Sequence, residues 1–283
     1  PKGTPMSTIP DWLPGVERVQ GSDAGPMLPG SKWSLLLHTT EGGSLQGAIA
    51  ALRAKSAWSH FIYDPATEQL VQAVSMNRAA KSLRSGGNLG KTNAARVIQV
   101  EIVGRAADTD HAPQWWNESI GRMIARIGAS VPFRIEMPLP FYGDESGFTV
   151  ASQTAKQRMS WAAWYRFDAI CGHQHAPRND HWDPGAINAA AILAAARKHA
   201  PKWTPLPFPG TITKTSSKER VAVWRMVLGD LGYRGFKVGL YPWSGVLSLA
   251  TKRLQRRHGL VADGIVGPKT WAVAMLLLTQ AKA

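Results

Sequence analysis

Five side chains able to bind a metal or move a proton crowd into eleven positions: His173, His175, Asp180, His181 and Asp183. They lie in the string Cys171-Gly-His-Gln-His-Ala-Pro-Arg-Asn-Asp-His-Trp-Asp-Pro-Gly185. Three imidazoles and two carboxylates this close suit a borderline-soft cation such as zinc. A single loop histidine is usually a solvated polar residue, but a cluster beside a glycine hinge asks for more. A catalytic zinc takes three protein ligands and keeps one position open. The loop can supply two, so a third comes from elsewhere. His38, which ends the apolar run Trp33-Ser-Leu-Leu-Leu-His38, is the best candidate, because neighbouring strand ends converge in space. Glu101 interrupts the β-branched run Val97-Ile-Gln-Val-Glu-Ile-Val103, where an acid is costly to bury without a purpose. Cys171 shares strand parity with His173 and so could face a metal, although a small buried core residue is the simpler reading.

These residues need a scaffold, and hydrophobic periodicity supplies one. The run ending at His38 reads as a strand. Ser44 is a plausible N-cap for a helix through Leu45, Ala48, Ile49 and Leu52. Residues 60–65 and 69–73 read as two strands around a turn, and 97–103 as a buried strand. Helices follow through Ile120, Met123, Ile124 and Ile127, and near 160–166. Residues 137–147 (MPLPFYGDESG) look like an excursion over the surface. A short strand over 167–172 and an alanine-rich helix over 186–199, with a basic end that suits its dipole, complete the pattern. Strands alternating with helices imply an α/β domain with a mixed central β-sheet flanked by helices.

The chain has 283 residues, long enough for two domains. Four prolines within 201–210 make a stiff linker, placed at 201–212, between a first domain over 1–200 and a second over 213–283. The second domain shows three short helical patterns, on Val221/Trp224/Leu228/Leu231, Leu247/Ala250/Leu254 and Trp271/Met275/Leu278. With one cysteine, no internal disulfide framework exists, which fits folding in a reducing cytoplasm. Residues 1–15 lack the apolar run of a signal peptide, and no stretch approaches a membrane span. The net charge is +14, and from position 207 onward twelve Lys and Arg stand against three acids. Such a field draws the protein to polyanions: nucleic acid, anionic lipid or phosphate-rich wall polymers.

Four strings occur in order: Leu36-Leu-His38-Thr-Thr-Glu-Gly42, Ser59-His-Phe-Ile-Tyr63, Ile98-Gln-Val-Glu-Ile-Val-Gly104, and Gly172-His173 through Asp183-Pro-Gly185. Together they resemble the zinc-dependent N-acetylmuramoyl-L-alanine amidases, the type-2 family that includes phage endolysins and is related to peptidoglycan recognition proteins. The resemblance covers residues 32–200, and its last motif, an aspartate ten residues after the histidine, is specific. It implies His38, His173 and Asp183 as zinc ligands and Glu101 as the carboxylate that handles the proton of the attacking water. It implies cleavage of the amide between N-acetylmuramic acid and the L-alanine of the stem peptide. The family usually has a cationic side chain two residues before the ligand aspartate to steady the oxyanion, and here that place is taken by His181. His181 must then donate a hydrogen bond to act, or it could be the third metal ligand in place of Asp183. His60 matches a histidine common in the family's second strand, with a structural role or a substrate contact equally open. Arg178 and Asn179 are further candidates to touch substrate.

Leu254-Gln-Arg-Arg-His-Gly-Leu260 and Asp263-Gly-Ile-Val-Gly-Pro-Lys-Thr-Trp271 resemble the small three-helix peptidoglycan-binding module of wall hydrolases, over residues 213–278. Trp224 and Trp271 recur at core positions, so they read as packing rather than as sugar platforms. The implied partner is bacterial peptidoglycan, with anionic wall polymers attracted to Lys252, Arg253, Arg256 and Arg257. No nucleic acid, no membrane insertion and a monomer are expected. The chain would be made in the host cytoplasm and reach the wall through a holin-type pore, by analogy with the family. The competing readings are a recognition protein that binds without cutting, a zinc peptidoglycan endopeptidase, and a nucleic-acid-binding protein, which lacks a clear recognition helix.

Overall fold

A computed structural model of the chain describes residues 9–84, 92–143, 157–200, 206–235 and 240–282. They cluster into two compact units, Ile9–Pro201 and a second made chiefly of Lys202–Ala283. Among the described residues no helix is long and apolar enough to cross a membrane.

The first unit is built on six strands: β1 (Glu17–Arg18), β2 (Ser34–Thr39), β3 (Phe61–Asp64), β4 (Gln69–Gln72), β5 (Val97–Ile102) and β6 (Ile170–Gly172). Their order is β1-β4-β3-β5-β2-β6. The β3–β4 pair is antiparallel and the other pairs are parallel, so the sheet is mixed. Helices α1 (Leu45–Lys55), α2 (Gln114–Gly128), α3 (Trp161–Arg166) and α4 (Ala189–His199) flank it. The α/β architecture implied by the alternating pattern is the one observed.

Strand parity divides the two faces. Leu35 and Leu37 of β2 pack with Ile98, Val100 and Ile102 of β5 against Trp116, Ile120 and Ile124 of α2 and Ile192 of α4. Leu36, Val97 and Cys171 point the other way, into a smaller cluster with Trp164 of α3. Ile62 and Val71 share that second face and meet Leu45, Ala48 and Ile49 of α1. His38 and Glu101 fall on this same side by alternation. The β2 and β5 strands are buried along their whole length, as parallel strands covered on both faces are. On the first face α2 and α4 approach closely: a Cβ on Gly121 would sit 2.4 Å from the Ala195 Cβ, so only glycine fits.

Element ends differ from the periodicity in ways local bonding explains. Ser44 caps α1 as expected, accepting from the Gly47 N–H. The strand expected over 167–172 starts at Ile170, because the Phe167 N–H is used to close α3 on the Trp164 carbonyl. The helix expected from 186 starts at Ala189, where Asn188 accepts from the Ala191 N–H. The expected surface excursion is partly a core element, since Met137 and Phe141 pack against the main cluster; residues 144–147 lie outside the described residues.

The second unit holds α5 (Lys218–Asp230), α6 (Gly245–Arg257) and α7 (Pro268–Lys282), with Pro268 at the first helical position. Trp224 and Trp271 are buried with ring centroids 6.0 Å apart. Their indole N–H groups donate to Thr251 Oγ1 and to the Leu206 carbonyl, both at 2.9 Å. Ile212 is buried and bridges to Val266. Residues 206–212, expected as linker, therefore belong to the packing of this unit, because Leu206 and Ile212 complete its apolar core. Residues 201–205 lie outside the described residues.

Candidate metal centre

The sheet register brings the chemistry together. His38 pairs with Glu101 across β2 and β5, while Leu36 and Leu37 pair with Cys171 and Gly172 across β2 and β6. His173 follows β6 directly, so it emerges beside His38. A loop then carries the chain out and returns it at Asp183.

That return path is fixed by buried polar contacts. The Gln174 N–H donates to the Asp183 carbonyl at 3.1 Å. The Gln174 side chain donates to the carbonyls of Trp182 and Gly185, at 2.9 and 3.2 Å. Arg158 donates to the carbonyls of His173 and His181, at 2.9 and 3.0 Å. The Asp183–Pro184 peptide is cis, and the Pro184 carbonyl accepts from Thr109 Oγ1 at 2.7 Å. Gly185 has φ +78° and lies so close to the 3₁₀ turn Ala106–His111 that an added Cβ would stand 2.1 Å from the Ala106 carbonyl oxygen.

His38, His173 and Asp183 are all buried, and their donor atoms lie within 4.8 Å of one another. The Nδ1 atoms of His38 and His173 are 3.1 Å apart. His38 Nδ1 stands 3.2 Å from Asp183 Oδ2, and His173 Nδ1 stands 3.1 Å from Oδ1. Asn179 settles the tautomer of His173. Its Oδ1 accepts the Arg84 N–H at 2.9 Å, which fixes the amide, and so it also accepts from His173 Nε2 at 2.8 Å. A neutral His173 then turns the lone pair of Nδ1 toward His38 and Asp183. The lone pair of His173 Nδ1 and the Asp183 carboxylate thus face one buried point, an arrangement that a cation among them would stabilise.

Electrostatics hold this donor set in the states a metal needs. Burial pushes the His38 imidazole down to about 4, with His173 adding to the shift and Asp183 opposing it. Burial would raise the Asp183 carboxyl, but the His173 and His38 rings outweigh it and hold the group well below the usual carboxylate range. At neutral pH the set therefore contains an unprotonated His38 and an ionised Asp183, ready to ligate. Nitrogen and oxygen donors of this kind fit a divalent transition metal, so the three residues can hold one.

Glu101 lies beside them, buried, with Oε1 accepting from Ser59 Oγ at 3.1 Å. Burial and the nearby Asp183 charge push its carboxyl up to about 8, against the hydrogen bonds of Ser59 and Ser82. His38, Glu101, His173 and Asp183 line a cavity of about 280 Å³ with Ser82 and, on α1, Leu52 and Lys55. A cavity of about 450 Å³ between α2 and α4 holds none of these groups.

His181 also lines the metal-side cavity, but its side chain is 67% exposed. Its ring stacks on His173 with centroids 4.8 Å apart and planes within 7°. His181 Nδ1 is 3.8 Å from Asp183 Oδ1 and outside the three-donor group. Asp183, rather than His181, belongs with His38 and His173 to the group that could hold an ion.

The other expected contacts are distributed differently. His60 is fully buried and away from the cavity, with Nδ1 accepting from the Gln99 N–H at 3.0 Å and Nε2 donating to the Arg78 carbonyl at 2.8 Å. Both ring nitrogens are occupied by backbone, so His60 is a brace for the sheet and not a substrate contact. Asn179 is likewise buried, and its partners are His173 and backbone. Arg178 is exposed at φ +54°. His175 is buried between the Gly172 N–H and the Pro140 carbonyl, at 2.9 and 3.0 Å, so it shapes the loop. Cys171 is buried in the core, and burial pushes its thiol up. Sequence reasoning missed Ser59, Ser82, Arg158 and Gln174. Of these, Ser59 and Gln174 stand next to singled-out histidines, and the other two carry no local signal.

Asn179→Ala removes the anchor of His173 without touching a donor atom. The expected result is a metal affinity lower by about 10- to 100-fold at unchanged stoichiometry, measured by competition with a chromophoric chelator. An unchanged affinity would show that the tautomer is held by other means.

No family model matches the chain, and no curated protein matches it. Among solved structures the chain is similar to a selenomethionine derivative of AmpD, with TM-score 0.41 and 14% identity over 67% of this chain and 99% of that one. It is similar to the Staphylococcus aureus hydrolase AmiA in complex with its ligand, with TM-score 0.39 and 14% identity over 66% and 84% of the two chains. A point mutant of PlyL gives TM-score 0.38 and 10% identity over 64% and 98%.

Proposed function

We propose that this chain is a zinc-dependent amidase of the type-2 family, an endolysin that cuts the bond between N-acetylmuramic acid and the L-alanine of the stem peptide. The observation that carries the reading is the buried meeting of His38, His173 and Asp183 beside Glu101 at the floor of an open cavity. The ordered motifs of the sequence narrow a metallohydrolase to this substrate.

His38, His173 and Asp183 would hold the ion. Zinc bound there supplies a polarised carbonyl and a water made acidic enough to attack at neutral pH. Glu101 would take the proton of the attacking water and return it to the leaving amine of L-alanine, so that the amide C–N bond breaks while a new C–O bond forms. Its carboxyl, raised to about 8 before any cation is bound, moves toward the ionised base as positive charge arrives nearby. Burial lowers the His181 imidazole, and His173 adds to the shift. His181 thus serves as a neutral N–H donor to the developing oxyanion from the cavity wall, a contribution weakened by the solvent around its exposed ring. The second unit binds the wall, with the basic residues of α6 drawn to anionic polymer.

Digestion of purified peptidoglycan tests the reading. The expected products are free stem peptides with a new L-alanine amine, lost on chelation and regained with zinc. Lysis that persists after thorough chelation would overturn the metal mechanism. New ends within the peptide would favour an endopeptidase, and binding without release would favour a recognition protein. Truncation after Gly210 should weaken pelleting with cell walls about 10-fold or more while sparing cleavage of a small soluble muramyl peptide. Equal loss of both would assign the tail to the active site.

A further inference from the structure

Glu101 is buried, and its Oε1 accepts from one hydroxyl that is itself hydrogen-bonded to a second. Ser59 Oγ lies 3.1 Å from Glu101 Oε1 and 2.5 Å from Ser82 Oγ, and Ser82 Oγ lies 3.3 Å from the Ala57 carbonyl oxygen. The four groups form one chain, from the carboxyl to a backbone acceptor. Both ends are held. His60, next to Ser59, is clamped through both ring nitrogens, and the Lys81 N–H, next to Ser82, donates to the Trp58 carbonyl at 2.7 Å.

Each serine has one proton and can accept as well as donate. When Glu101 is a carboxylate, Ser82 donates to Ser59 and Ser59 donates to Oε1. When Glu101 carries a proton, the same chain runs backward: the carboxyl donates to Ser59, Ser59 to Ser82, and Ser82 to the Ala57 carbonyl. A buried carboxyl used as base and then as acid needs an acceptor in one state and a donor in the other. Two fixed donors would meet only one need, whereas two rotating hydroxyls ending on a carbonyl meet both.

We infer that Ser59 and Ser82 are positioning residues for Glu101, a reversible hydroxyl chain that keeps its carboxyl aimed at the cavity through both halves of the proton cycle. The inference rests on the hydrolase reading above. The transferred proton passes from water to Glu101 and on to the leaving nitrogen, while the serine protons only rotate.

The test uses the zinc-loaded full chain with Ser59→Ala, Ser82→Ala and Ser82→Thr. Ser59→Ala should lower kcat about 10- to 100-fold with KM within about twofold and full zinc content. A crystal structure of this variant should show the Glu101 carboxylate turned to another rotamer. Ser82 is partly accessible, so its variants fold even if a change at buried Ser59 does not. Ser82→Ala should lose kcat about 3- to 10-fold and Ser82→Thr, which keeps the hydroxyl, should regain it. An unmoved carboxylate, an unchanged kcat, or a threonine no better than alanine would overturn the inference. A wild-type protein that releases no stem peptide would instead overturn the hydrolase reading, and the rotamer of Glu101 would still decide the role of the serines.

Discussion

Glu101→Ala should leave the protein folded and zinc-bound but lower kcat about 10²- to 10⁴-fold, the range typical for loss of a general acid–base. The carboxyl stands outside the three-donor group, so its removal takes no ligand from the ion. It is also a poor contributor to stability. The folded pKa of about 8 lies above the ordinary value of 4.5, so the metal-free protein is stabilised by this group below pH 4.5 and loses that stability as pH rises through about 8. The variant should therefore melt no lower than the parent at pH 8 without metal, and its stability should fall less between pH 5 and 8. Zinc content by mass spectrometry, turnover of a muramyl peptide and melting temperature against pH read these three effects together. Wild-type turnover would remove Glu101 from the mechanism, and lost zinc would make it a ligand.

His173→Ala should fail in the opposite order, losing zinc first and cleavage as a consequence. One of three donors disappears, and the Asn179 side chain loses its ring partner. The affinity loss should exceed the 10- to 100-fold that an outer partner costs. Asp183 also loses the ring that does most to hold it ionised against burial. The buried Asn179 amide and Asp183 carboxyl are each left short of a partner, so the melting temperature should drop as well. Full zinc occupancy and activity in this variant would end the assignment of the centre. The two substitutions therefore separate proton handling from metal holding.

The residues that proved legible in the sequence are those governed by backbone periodicity. His38 and Glu101 sit on strands of alternating pattern, and parity alone puts both on the face opposite the α2–α4 core. Asp183 was legible through its Asp-Pro-Gly setting. The misread residues are those whose role depends on where single atoms point. His60 and a metal-binding histidine look alike in a sequence, yet its ring nitrogens are spent on Gln99 and Arg78. Asn179 stood in a polar loop and looked free to meet substrate, but it turned inward to brace His173. Ser82 is 23 residues from Ser59, and nothing local relates them. Phe141 was hidden among prolines, glycine and acids that suggested solvent, while its ring packs edge-on to His175 at 4.9 Å.

Only His38 rides on an interior strand; His173 and Asp183 begin and end the eleven-residue excursion that follows β6. A cation held by these three residues would work as a clasp, fastening both ends of a short ribbon to the sheet. Stripping the ion should loosen the ribbon while the sheet keeps its protection, so amides of residues 174–183 should exchange with deuterium faster and those of β2 and β5 should not. The empty protein would then be a recoverable reservoir, refilled by closing one segment rather than by refolding the chain.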